Sequence, residues 1–83
     1  MKTNQKLNAT IFEVLDSQIK DNNPPETKQT FDRLISEGES KDEARRLVAC
    51  VIASEIFEVL KKQEMFNLER FVKALDALPE PWK

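Results

Sequence analysis

Eighty-three residues, 40% hydrophobic and 34% charged, suit one small globular domain over residues 1–83 and exclude a disordered chain. Thirteen basic and fifteen acidic side chains leave a net charge of −2, so no positive field holds the chain on nucleic acid or an anionic membrane. Histidine and tyrosine are absent and cysteine occurs once, which removes the commonest general base and metal ligand, every Ser-His or Cys-His pair and any internal disulfide.

A first helix is predicted from about residue 4 to 20. Leu7, Ile11, Phe12, Val14, Leu15 and Ile19 recur at helical spacing, with Lys6, Asn8, Glu13, Asp16, Ser17 and Lys20 mostly on the other side. Asp21-Asn22-Asn23-Pro24-Pro25 ends it, because proline cannot donate to the helix ladder and the residue before a proline avoids helical backbone. Asn23 is the expected N-cap of a second helix, with Pro24 and Pro25 in its first turn. That helix spans about 25–37 and turns Phe31, Leu34 and Ile35 inward. Gly38, the only glycine, stands where a left-handed residue closes a helix.

Ser40-Lys41-Asp42-Glu43 is a capping box. Soon after it come seven consecutive apolar residues, Leu47 to Ala53, and no breaker follows before Gln63. The expectation is a long third helix from about 41 to 63, apolar around its circumference in the middle and therefore central and covered on all sides. Asn67 suits the N-cap of a fourth helix over about 68–78, presenting Leu68, Phe71, Val72, Leu75 and Leu78 to the core. Residues 79–83, Pro79-Glu80-Pro81-Trp82-Lys83, form a non-helical C-terminal tail. The fold class is thus an all-α, four-helix small domain. No stretch approaches the roughly 20 apolar residues of a membrane span, and residues 1–6 lack the apolar core of a signal peptide. A cytoplasmic setting is the expectation.

Few residues suggest chemistry, and no cofactor or metal site is expected. Cys50, between Ala49 and Val51, is placed in the core as a small hydrophobe rather than a nucleophile. Glu55 interrupts the apolar stripe of Leu47, Val48, Val51 and Val59. Two environments suit it: a buried site with a raised pKa, or the rim, paired with a lysine or with the N-terminus of a neighbouring helix. Glu58 and Lys62 have the i, i+4 order of a solvated ion pair. The acids Glu37, Glu39, Asp42 and Glu43 crowd a turn too short for a calcium loop, and two of them favour the N-terminus of helix three. Glu39 also replaces the apolar turn residue of a DNA-binding helix-turn-helix. Trp82 is a candidate partner contact; the alternative is a tail that folds back to cap the core.

The order and spacing of Gln18, Asn23-Pro24-Pro25-Glu26, Arg33-Leu34-Ile35, Glu37-Gly38, Glu43-Ala44, Glu55-Ile56-Phe57, Leu75 and Leu78-Pro79 resemble a family of small uncharacterised bacterial all-helical proteins. The resemblance covers about Leu7 to Trp82. Members of that family place histidines four apart on the first helix and again at the start of the third. The corresponding positions here are Asn8 and Phe12, then Asp42 and Arg46. The resemblance therefore implies the fold without that histidine set.

The functional expectation is a non-catalytic, homo-oligomeric interaction or scaffold module, a homodimer, without nucleic-acid or membrane partners. The alternative is a small-ligand-binding protein or enzyme with a pocket organised around Glu55.

Overall fold

The computed structural model describes residues 2–80, with side chains from residue 9 onward. Four helices follow one another: α1 (Lys2–Asp21), α2 (Pro25–Ser36), α3 (Lys41–Lys62) and α4 (Leu68–Asp76). There is no strand among the described residues. Residues 77–80 make turns in place of the last predicted residues of the fourth helix, and Trp82 lies outside the described residues.

Capping chemistry sets each boundary. α1 closes on Asn22, a left-handed residue with φ 53°. The Asn22 N–H donates to the Ile19 carbonyl at 3.3 Å and the Asn23 N–H to the Gln18 carbonyl at 3.0 Å, the paired closure of a Schellman motif. The N-cap of α2 is Pro24, in extended backbone and without a side-chain cap, rather than Asn23. Pro24 itself precedes a proline, and that crowding keeps it out of the helical region, so the helix begins one residue later than Asn23 would allow. α2 closes with Gly38 at φ 108°, the Glu39 N–H reaching the Leu34 carbonyl and the Gly38 N–H the Ile35 carbonyl, both at 3.0 Å. Ser40 Oγ then accepts the Glu43 N–H at 3.0 Å and starts α3. Gln63, left-handed at φ 52°, stops it. Asn67 Oδ1 accepts the Arg70 N–H at 3.0 Å and starts α4.

α3 packs against all three other helices, and α2 also touches α1 and α4. α1 and α4 do not meet each other among the described residues. Ile11 and Leu15 of α1, Leu34 of α2, Leu47, Val48 and Val51 of α3 and Phe71 and Leu75 of α4 interlock in the core, with Ala44 and Leu78. Thr27 is fully buried and satisfies its hydroxyl on Gln18 Oε1 at 2.8 Å, tying α2 to α1. Arg33 holds α2 to α4: one guanidinium nitrogen binds Glu37, and the other donates to the Leu75 and Leu78 carbonyls at 3.1 and 3.2 Å. There it fastens the turn after α4, where the Leu75 carbonyl also accepts the Leu78 N–H at 3.1 Å. Arg45 lies over the Phe12 ring at 4.8 Å and clamps Asp16, joining α3 to α1.

The apolar run of α3 is not covered on every side. Leu47, Val48, Ala49, Val51 and Ile52 are buried, whereas Cys50 and Ala53 are half-buried and Phe57 is 74% exposed. Cys50 is therefore a boundary residue rather than part of the core, with its Sγ 4.0 Å from an Arg46 guanidinium nitrogen. Length explains the gap. Twenty-two helical residues reach about 33 Å at 1.5 Å each, and the nine of α4 reach about 14 Å. Two other positions expected inside also face out: Ile35, beside the buried Leu34, and Leu68, in the first turn of α4.

Candidate functional site

The C-terminal half of α3, the loop after it and the start of α4 bring together the polar and apolar features that the rest of the molecule keeps apart. Glu55 sits on the α3 face that meets α4 and is only 6% exposed. Arg70, one turn into α4, grips it with both arms of the guanidinium fork: Nε donates to Oε1 at 2.9 Å and an Nη to Oε2 at 2.8 Å. The Asn67 backbone N–H, at the very start of α4, donates to Oε2 at 3.0 Å. The carboxylate thus faces a cation and the positive end of a helix at once. The remaining Arg70 nitrogen binds Glu64 in the loop at 2.7 Å.

These contacts move Glu55 below the ordinary carboxylate pKa. The Arg70 hydrogen bonds are the largest cause; burial opposes them, and the Asn67 N–H and the Arg70 charge reinforce them. General-base work near neutral pH calls for a carboxylate pushed the other way, toward about 6–7. The geometry places Glu55 against a neighbouring helix N-terminus, with an arginine in place of the lysine that the sequence suggested. Arg70 carried no expectation of its own. The signal was present in Asn67: a residue three positions after an N-cap lies in the first turn, and that turn must pack near the end of α3.

Beside this ion pair is an open groove of about 340 Å³. Val14 and Gln18 of α1 form one wall, Ile52, Ile56, Val59 and Leu60 of α3 the floor, and Phe66 and Phe71 the far end, with Glu55 at the edge. It occupies the space that opens because α1 and α4 flank α3 without meeting. Phe66 and Phe71 pack as a tilted pair, ring centres 5.4 Å apart and planes inclined at 58°, which fixes this end. Around the mouth, Leu60 is 71% exposed, Met65 88% and Phe66 51%. Phe57 and Leu68 are exposed as well, Phe57 in a separate depression with Ser54, Glu58 and Lys61.

Elsewhere, apart from Arg45 and Asp16, the ion pairs are local, among them Lys28 with Asp32, Arg46 with Glu43, and Lys62 with Glu58 at 3.0 Å as its spacing predicted. Among the described residues no three of histidine, cysteine, aspartate and glutamate gather as a metal-binding set, and no helix is long and apolar enough to cross a membrane. No protein-family model, no characterised protein and no solved structure matches the chain.

Proposed function

We propose that this protein is a non-catalytic interaction module in which α3 is the spine and the groove between α1 and α4 receives another polypeptide. The observation that carries this reading is the groove itself: an apolar channel left open along α3 and continuous with exposed large hydrophobic side chains. Scattered exposed apolar residues need no explanation, but a contiguous patch beside a channel is the form that peptide- and helix-binding surfaces take. The Glu55–Arg70 pair supports it from the other side. Both carboxylate oxygens are engaged by internal donors, so the pair holds α4 against α3 and sets the end wall of the groove.

A small apolar ligand is the second reading, favoured by a volume at the lower edge of ligand pockets, about 300 Å³. The two separate in one experiment. A photoreactive benzoylphenylalanine replaces Leu60, and in a control replaces Asp32 on α2; the cells that make the protein are then irradiated. The interaction module predicts a covalent adduct with a polypeptide at position 60 and none at position 32. No polypeptide adduct at 60, or equal adducts at both positions, contradicts it.

A further inference from the structure

Independently of the groove, we infer that α4 is an exchangeable helix. When Gln63 leaves its left-handed conformation, α3 and α4 become one helix from Lys41 to Asp76. The α4 of each copy then docks on α2 and α3 of a second copy.

The turn between α3 and α4 differs from the other two connections. Pro24-Pro25 separates α1 from α2, and Gly38 at φ 108° separates α2 from α3. Between Lys41 and Asp76 there is neither glycine nor proline. Gln63, Glu64, Met65, Phe66 and Asn67 all accept helical backbone at ordinary cost, and glutamine, glutamate and methionine are among the better helix formers. What turns the chain back is Gln63 at φ 52°, a conformation that a residue with a Cβ adopts at a penalty. A straight hinge is free of that penalty.

The dock singles out a second copy as the acceptor. α4 rests on α2 and α3, and α1 does not meet it among the described residues, so α4 can leave without parting the other helices. Leaving uncovers Phe71 and Leu75 and strands the buried Glu55 carboxylate. Only a site with the same apolar shape, the same carboxylate and the same arginine takes α4 back, and another copy of this chain has all three. In the exchanged pair Phe71 and Leu75 fill the partner's core and Arg70 grips the partner's Glu55. The partner's Arg33 receives the Leu75 and Leu78 carbonyls. The hinge gives up the Asn67 cap and the Asn67 N–H bond to Glu55. Both backbone N–H groups return to the helical ladder, Asn67 on the Gln63 carbonyl and Arg70 on that of Phe66. Exchange of an identical element is a low-cost route to a dimer, because the contacts within each dock are kept.

The test is to warm the purified full chain at high concentration to just below its melting temperature, cool it and measure mass by light scattering. The expected result is a separable dimer of twice 9.6 kDa. Gln63→Gly eases the turn and disfavours the straight hinge. Each dimer has two hinges, so the dimer-to-monomer ratio should fall by about tenfold or more. Exchange itself is read by mixing Glu55→Arg with Arg70→Glu. Alone, each variant sets like charges against one another in every dock. In a mixed exchanged dimer one dock joins the native glutamate to the native arginine, and the other joins the two replaced side chains in reverse order. The mixture should therefore dimerise at least about tenfold better than either variant alone. If the variants are unfolded alone, the gain appears as helical circular dichroism regained on mixing. A wild-type chain that stays at 9.6 kDa after warming overturns the inference. So does a dimer whose yield Gln63→Gly leaves unchanged, or a mixture that pairs no better than its components, as side-by-side association would give.

Discussion

Glu55 shows how one side chain can be buried, charged and structural at the same time. Its two oxygens meet three donors, so the cost of desolvation is offset locally by hydrogen bonds. Because the folded pKa is lowered, the unfolded chain binds a proton more readily in acid. The stability that Glu55 contributes is therefore fully present above about pH 4.5 and is lost as pH falls through the lower folded value. Glu55→Gln should cost about 1–2 kcal/mol at neutral pH in urea denaturation, and the difference from wild type should shrink below pH 4.5. A constant difference down to strong acid would contradict this. Arg70→Met strands a buried carboxylate and should lower the melting temperature more than Glu55→Gln does. Sequence identified Glu55 as the polar residue that breaks an apolar stripe, but not its partner. The contact joins residues fifteen apart across a turn, and no local spacing rule reaches that far.

At the level of the helices, the breaks were legible because they depend on short-range chemistry. Ser40 and Asn67 cap as their spacing predicts, and Gly38 closes α2 with a backbone angle that only glycine takes freely. Gly38→Ala has room for its methyl group, with no atom within 4 Å, so its cost is conformational and should be about 1 kcal/mol. Gln63 is the mirror case, a side chain held at φ 52°. Gln63→Gly should raise stability by about 0.5–1 kcal/mol, read as a shift in the urea midpoint without a change in slope. A loss on Gln63→Gly would show that the residue makes a contact worth more than its backbone strain. The left-handed residues at Asn22 and Gln63 were not foreseen, since neither is glycine. Asn23 was misplaced as a cap because the second proline restricts Pro24 as firmly as the first restricts Asn23.

For the molecule as a whole, the seven apolar residues of α3 suggested a helix enclosed on every side, and the packing departs from that. Periodicity gives the direction of each side chain but not the length of the neighbours that must cover it, and α2 and α4 are too short for the task. Cys50 and Ala53 are left half-buried in a depression beside Ile11 and Phe12 of α1, and farther along α3 Leu60 stands exposed at the groove. Phe71, 1% exposed, closes the end of that groove from the core side. Phe71→Ala should therefore cost about 3–4 kcal/mol in urea denaturation; a cost below about 1 kcal/mol would show that the end of the groove collapses without it. The most direct measurement is cross-linking in the cells that make the protein, with benzoylphenylalanine at position 60 beside the groove and, as a control, at position 32 on α2. A polypeptide-binding groove predicts an adduct with a polypeptide at position 60 and none at position 32. No polypeptide adduct at 60, or equal adducts at both positions, would contradict it.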